Sequence, residues 1–147
     1  MIGIIVATHG KLSDGLVDAA ELIIGGTDNI VTLNLFQGDN VQDLNKQVFE
    51  AINKVDQNNG VIIFTDLFGA SPYNQATLAV HSLPVEKQEK IFVITGVNLP
   101  VLIEAINQRM MGTPIHEAVN SILNEGQQSM VVWPSEKDPL DEENEDF

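Results

Sequence analysis

The chain has 147 residues, 44% of them hydrophobic, which is enough for one domain with a buried core. Its 21 acidic and 7 basic side chains give a net charge of −14, so it lacks the basic surface of a nucleic-acid-binding protein. There is no cysteine, which excludes disulfides and cysteine-ligated zinc. Because neither a signal segment nor an apolar run of membrane-spanning length is present, we expect a cytoplasmic protein.

Short apolar, β-branched runs alternate along the chain with segments of helical periodicity. Such runs are typical of strands that are buried on both faces of a sheet. The predicted strands are residues 2–7, 30–35, 61–65 and 91–95. The predicted helices begin near residues 12, 41, 71, 99 and 115. A last apolar run, residues 130–133, is a candidate fifth strand that would pair antiparallel to the fourth.

This alternation predicts an α/β fold, because parallel strands are joined through crossover helices. We expect a single doubly wound, mainly parallel sheet of strand order 2-1-3-4 with helices on both faces. Sheets of this kind bind ligands at the carboxyl ends of the strands, where the strand order reverses. Three loops follow strands and are therefore candidates: residues 8–10, 66–71 and 96–98.

His9 and Asp66 are the candidate catalytic residues. They follow strands one and three, which are neighbours in the predicted order, so we expect the two side chains to meet. A carboxylate that accepts one ring N–H leaves the other nitrogen free as a nucleophile. The same pair also serves as a general base, and each residue alone is equally compatible with a loop or capping role.

Ser71-Pro72 is typical of a helix start, with Ser71 as the N-cap and proline in the first turn. A helix start presents free N–H groups and a partial positive charge, which suit an anion. Gly69 would allow close backbone approach, although an ordinary cap remains an alternative. No nucleotide-binding motif occurs.

The other two histidines are interpreted as structural or solvent-facing. His81 lies near the end of a helix, and His116 lies in the first turn of the last helix. No spacing typical of metal ligands occurs, so we predict neither a metal nor a cofactor.

Three segments together resemble the mannose-family A domains of the phosphoenolpyruvate-dependent sugar phosphotransferase system. They are IGIIVATHG at residues 2–10, TDLFGASPYN at residues 65–74 and GVNLP at residues 96–100. The resemblance implies that His9 carries a phosphoryl group and that Asp66 orients it. Five further residues are predicted to bind the phosphoryl group: Thr8, Gly10, Gly69, Ser71 and Asn98.

The resemblance also implies the partners. Phospho-HPr would be the donor, and the enzyme IIB component of the same transporter would be the acceptor. We expect that component to be a separate protein and this chain to be only peripheral to the membrane complex. Members of the family often carry threonine and tryptophan after the aspartate, where this chain has Leu67 and Phe68, so one hydroxyl contact is in doubt.

Two alternatives remain open from the sequence. The phosphohistidine subunit that serves dihydroxyacetone kinase shares the strand that ends in histidine, but usually reads Ser-His-Ser at that loop. A receiver-like regulatory module would need an acidic cluster for magnesium after strand one, where this chain has Thr8-His9-Gly10.

The C-terminal region carries two further predictions. Residues 130–133 either fold back onto the chain or, as the resemblance implies, exchange with a second copy to form a homodimer. Residues 136–147 contain seven acidic side chains and one lysine, a charge of −6 that predicts a disordered tail beyond a domain of residues 1–135.

Overall fold

The computed structural model describes residues 1–135, in which four strands and six helices are found. The strands are Gly3–His9 (β1), Ile30–Leu35 (β2), Val61–Thr65 (β3) and Ile91–Thr95 (β4). The helices are Leu12–Ile23 (α1), Val41–Val55 (α2), Ser71–His81 (α3), Val85–Gln88 (α4), Leu99–Met110 (α5) and Ile115–Gln128 (α6).

The four strands form one parallel sheet in the order β2-β1-β3-β4, which confirms the predicted fold class and strand order. The strand bounds agree with the prediction except at β1, which begins one residue later, at Gly3, and continues two residues further, to His9. His9 is therefore the last residue of the strand and keeps its pairing with Leu35 of β2.

Helices cover both faces of the sheet, and the two central strands, β1 and β3, are accordingly buried at nearly every position. Ile4 and Val6 of β1 pack in a core formed with α1, α5 and α6. Ile5, between them, points the other way into a core formed with α2 and α3. The carboxyl ends of the strands stay uncovered at one edge, where the three candidate loops lie together.

The predicted fifth strand is not found among residues 1–135. Helix α6 runs to Gln128, and residues 130–133 follow it without strand structure or pairing within the described part of the chain. Met130 is 92% exposed and Trp133 is 79% exposed. An apolar run becomes a strand only where another backbone supplies hydrogen bonds, and here none of the described strands reaches it.

A further difference is the short helix α4, which was not predicted and forms a single turn after Pro84. The acidic segment 136–147 lies outside the described residues, so the tail and its boundary stay predictions. Within residues 1–135, no helix combines the length and apolar character that crossing a membrane requires.

Candidate active site

His9 and Asp66 meet at the edge where the strand order reverses. Ala7 of β1 and Thr65 of β3 are register partners, so Asp66, the residue that follows β3, lies beside the last residues of β1. The Nδ1 atom of His9 lies 2.8 Å from Oδ2 of Asp66. The structure therefore brings together the two residues that the sequence paired.

Asp66 accepts three hydrogen bonds, which define its charge and the His9 tautomer. Besides the ring, Oδ2 accepts the backbone N–H of His9 at 2.9 Å, and Oδ1 accepts that of Leu67 at 3.0 Å. Partial burial raises the pKa of the Asp66 carboxyl, but the hydrogen bonds from His9 outweigh burial and hold this pKa below its ordinary value. An ionised carboxylate only accepts, so Nδ1 of His9 carries the proton.

The other side of the His9 ring faces outward. The His9 side chain is 48% exposed, whereas that of Asp66 is 12% exposed. No hydrogen bond from residues 1–135 reaches Nε2, and with the proton on Nδ1 this atom has its lone pair free. The arrangement presents an oriented nucleophilic nitrogen to solvent.

Thr8 does not fit its predicted role in binding a phosphoryl group. Its side chain is fully buried, because Thr8 and His9 point to opposite faces of β1. Its Oγ1 accepts the backbone N–H of Ser13, in the first turn of α1, at 2.9 Å. The hydroxyl is thus engaged beneath the helix, away from the exposed ring.

Gly10 supports the turn after His9 through its backbone. Its φ is +57°, a conformation that favours glycine, and no atom lies within 4 Å of where a Cβ would stand. Its N–H donates to the Leu35 carbonyl at 2.8 Å, so this amide is already used. What Gly10 offers is open space beside the ring.

The loop after Asp66 leads directly into α3. Ser71 was predicted as the N-cap, but Ala70 takes that position and Ser71 is the first helical residue. Gly69 has a φ of +76°, and its carbonyl accepts the side-chain amide of Asn74 at 2.9 Å. Ser71 is partly exposed at this helix start, where unpaired N–H groups favour an anion.

Asn98 belongs to the third loop at the same edge. The N–H of Gly96 donates to the Asp66 carbonyl at 3.1 Å, which ties this loop to the one that contains Asp66. Oδ1 of Asn98 accepts the Val101 N–H at 3.0 Å and thereby caps α5. The side-chain N–H₂ group of Asn98 remains available for another ligand.

The sequence identified Leu67 and Phe68 only as departures from the family pattern, and it did not identify Phe36 or the exposure of these three apolar side chains near the site. Phe36, Leu67 and Phe68 are 45%, 61% and 77% exposed, and they follow the ends of β2 and β3. A cleft of about 440 Å³ adjoins the ring and includes Phe36 and Asp39 in its lining. The sequence could have indicated this exposure, because apolar residues that directly follow a strand at a switch point have left the sheet and cannot pack in its core.

The remaining two histidines lie away from this edge of the sheet. His81 is the last residue of α3, and its carbonyl accepts the side chain of Gln88. The His116 ring packs edge-on against Phe92, with 5.2 Å between ring centroids. Among residues 1–135, no three His, Cys, Asp or Glu side chains are grouped to hold a metal ion.

The fold and this site define a doubly wound α/β domain with an exposed, carboxylate-bound histidine at its switch point. Residues 3–123 match the family model described as the fructose IIA component of the phosphotransferase system, or PTS. The chain therefore belongs to the mannose family of sugar-specific enzyme IIA (EIIA) components, which are phosphotransfer proteins. The resemblance found in the sequence is confirmed.

Individual proteins agree with this assignment. The chain is 27% identical to the fructose-specific EIIA component of Bacillus subtilis, over 99% of this chain and 96% of that protein. It is 33% identical to the mannose-specific EIIAB component of Escherichia coli over 74% of this chain, which spans 32% of that longer protein.

Solved structures support the same fold. The EIIA component from Streptococcus agalactiae superposes with a TM-score of 0.81 at 27% identity, covering 90% of this chain and 98% of that one. The mannose/sorbose-specific IIA subunit from Enterococcus faecalis gives a TM-score of 0.77 over 92% of this chain and 96% of that one. At 17% identity, this second likeness shows the fold alone.

Proposed function

We propose that this protein is a phosphohistidine carrier of a sugar phosphotransferase system. His9 accepts a phosphoryl group from phospho-HPr and passes it to the enzyme IIB component. Both transfers take place in the cytoplasm. One observation carries the proposal: the 2.8 Å hydrogen bond from His9 Nδ1 to Asp66, on a ring whose other nitrogen is exposed. That geometry suits a nucleophile that must receive a group from another protein and release it again.

In the first transfer, the lone pair of His9 Nε2 attacks the phosphorus of the donor's phosphohistidine. A P–N bond forms to Nε2 while the P–N bond of the donor breaks, and the donor nitrogen recovers its electron pair. The His9 ring becomes cationic and keeps its proton on Nδ1, where the Asp66 carboxylate stabilises the charge. In the second transfer His9 Nε2 is the leaving group, and the phosphoryl group moves to the acceptor protein. Neither transfer needs a cofactor, because each P–N bond that breaks is replaced by a new bond to the same phosphorus.

The start of α3 is the proposed binding site for the phosphoryl oxygens. Gly69 and Ser71 lie there, and the helix N-terminus favours negative charge. Gly10 leaves space beside the ring, and the Asn98 side-chain N–H₂ group is available as a donor. Thr8 is left out of this set because its hydroxyl is buried beneath α1.

The exposed apolar side chains support a protein as the phosphoryl donor. Phe36 lines the same cleft as His9, and the exposed Leu67 and Phe68 follow Asp66 directly in the chain. Exposed apolar groups are typical of protein–protein contacts, whereas small-molecule sites are enclosed clefts that bury most of the ligand.

The decisive experiment is labelling with phosphoenolpyruvate, Enzyme I and HPr. We expect an acid-labile, base-stable label, located by peptide mass mapping on the peptide that contains His9. His9→Ala should abolish it, whereas His116→Ala should label like the wild type. Full labelling of His9→Ala would refute the proposal. Onward transfer to an enzyme IIB component, and not to dihydroxyacetone kinase, separates the two candidate roles.

The proposed assembly is a homodimer. Residues 130–133 are apolar and strongly exposed, and β4 is an edge strand to which a second copy can add such a segment. Pairing of that kind would bury Trp133 and its neighbours in both copies.

A further inference from the structure

The turn that carries His9 is closed by a hydrogen bond across it. Only Gly10 and Lys11 separate β1 from α1. Thr8, just before His9, accepts the backbone N–H of Ser13 on Oγ1 at 2.9 Å. This hydrogen bond closes a loop of chain that contains His9, Gly10, Lys11 and Leu12. Thr8 and Ser13 are both 0% exposed. We call this hydrogen bond the turn clamp.

The turn clamp also caps α1 from the strand. Lys11 is the N-cap residue and makes no side-chain capping hydrogen bond, so one free N–H of the helix start is satisfied by Thr8 instead. The Ser13 hydroxyl lies within hydrogen-bond distance of the Leu33 carbonyl and of Asn34 Oδ1. The start of α1 is thereby held to both β1 and β2.

These bonds determine where the His9 ring can go. The His9 N–H is held by Asp66, the Gly10 N–H is held by Leu35, and the turn clamp fixes the chain beyond them. Only the two side-chain torsions of His9 stay free, and the bond from Nδ1 to Asp66 selects among them. Releasing the clamp would let the backbone beneath the ring shift.

We infer that Thr8 is a positioning residue for phosphoryl transfer, which acts by holding the His9 turn so that Nδ1 stays on Asp66 and Nε2 faces the donor. The inference rests on the proposed function of His9. A misplacement of about 1 Å in a reacting group can cost about 10²-fold in rate, so a hydrogen bond beneath the site can matter as much as one within it.

The test compares Thr8→Val, which keeps the shape of the side chain but removes the acceptor, with Thr8→Ser, which keeps the hydroxyl. Thr65→Val is the matched control, because Thr65 is also fully buried at the end of a neighbouring strand but its Oγ1 has no hydrogen-bond partner among the described residues. The rate of His9 phosphorylation by phosphoramidate, a small donor, is measured by phosphopeptide analysis. Ring ¹⁵N chemical shifts report the His9 tautomer.

We expect Thr8→Val to label at least about tenfold more slowly and to populate the Nε2–H tautomer, while Thr8→Ser and Thr65→Val stay within about threefold of wild type. A wild-type rate in Thr8→Val, or an equal loss in Thr8→Ser, would overturn the inference. If circular dichroism shows that Thr8→Val is unfolded, Thr8→Ala removes the same acceptor with less bulk, and the same outcomes apply. Wild-type protein that is never labelled on His9 would instead refute the proposed function.

Discussion

The role of Asp66 is tested most directly by Asp66→Asn, which changes charge and hydrogen bonding but hardly changes shape. The carboxylate takes two hydrogen bonds from His9 on Oδ2 and one from Leu67 on Oδ1. An amide keeps one oxygen acceptor and replaces the other oxygen with an N–H₂ donor. In one orientation this donor faces the His9 N–H, and in the other it faces the Leu67 N–H, so one hydrogen bond is always replaced by a donor–donor contact. It also brings no negative charge to the cationic ring that forms during transfer.

The size of the effect follows from those contacts. Hydrogen bonds to a charged group contribute about 1.5–3 kcal/mol each against about 1 kcal/mol for neutral ones, so we expect a loss of about 1–3 kcal/mol in the free energy of unfolding. Loss of a positioned partner of the reacting group costs about 10²–10⁴ in rate, or about 3–5 kcal/mol in the barrier. Catalysis should therefore suffer more than stability.

The assay is single-turnover transfer from phospho-HPr, followed by rapid quench, with urea unfolding measured in parallel. Asp56→Asn is the control, since Asp56 also accepts a backbone N–H, from Asn58, but at the opposite edge of the sheet. That variant should transfer at the wild-type rate. A rate for Asp66→Asn within twofold of wild type would remove the carboxylate from the mechanism.

Three further predictions concern stability and assembly. The pKa of Asp66 is lower in the folded state than in the unfolded state, so its hydrogen bonds stabilise the fold at neutral pH. This stabilisation is lost as the pH falls below about 4 and the carboxylate takes up a proton. The urea midpoint should therefore fall less between about pH 7 and pH 3 in Asp66→Asn than in wild type. Gly3→Ala should destabilise the protein by about 1–3 kcal/mol, because its Cβ would lie 2.7 Å from the Val55 carbonyl oxygen; an unchanged urea midpoint contradicts that packing. Sedimentation equilibrium at micromolar concentration should give twice the chain mass of 16.1 kDa, and truncation before Met130 should give monomers; a truncated protein that remained dimeric would exclude strand exchange.

Much of the architecture is decided by local pattern. Apolar runs such as Val61–Thr65 are buried at every position, and the sequence pattern indicates this burial before the neighbouring elements are known. Crossover geometry then limits the strand order, which places the loops after β1 and β3 together. The pairing of His9 with Asp66 follows from these two facts, and for that reason the sequence alone predicted it.

What only the tertiary structure decided is the direction and partner of individual groups. Thr8 is adjacent to His9 in sequence, yet strand alternation turns it to the opposite face, where α1 buries it. Ser71 is a good capping residue by type, but the loop enters α3 one residue earlier. Residues 130–133 have the composition of a strand but pair with none of the described strands. Composition sets what a segment can form, whereas hydrogen-bond partners distant in sequence determine what it does form.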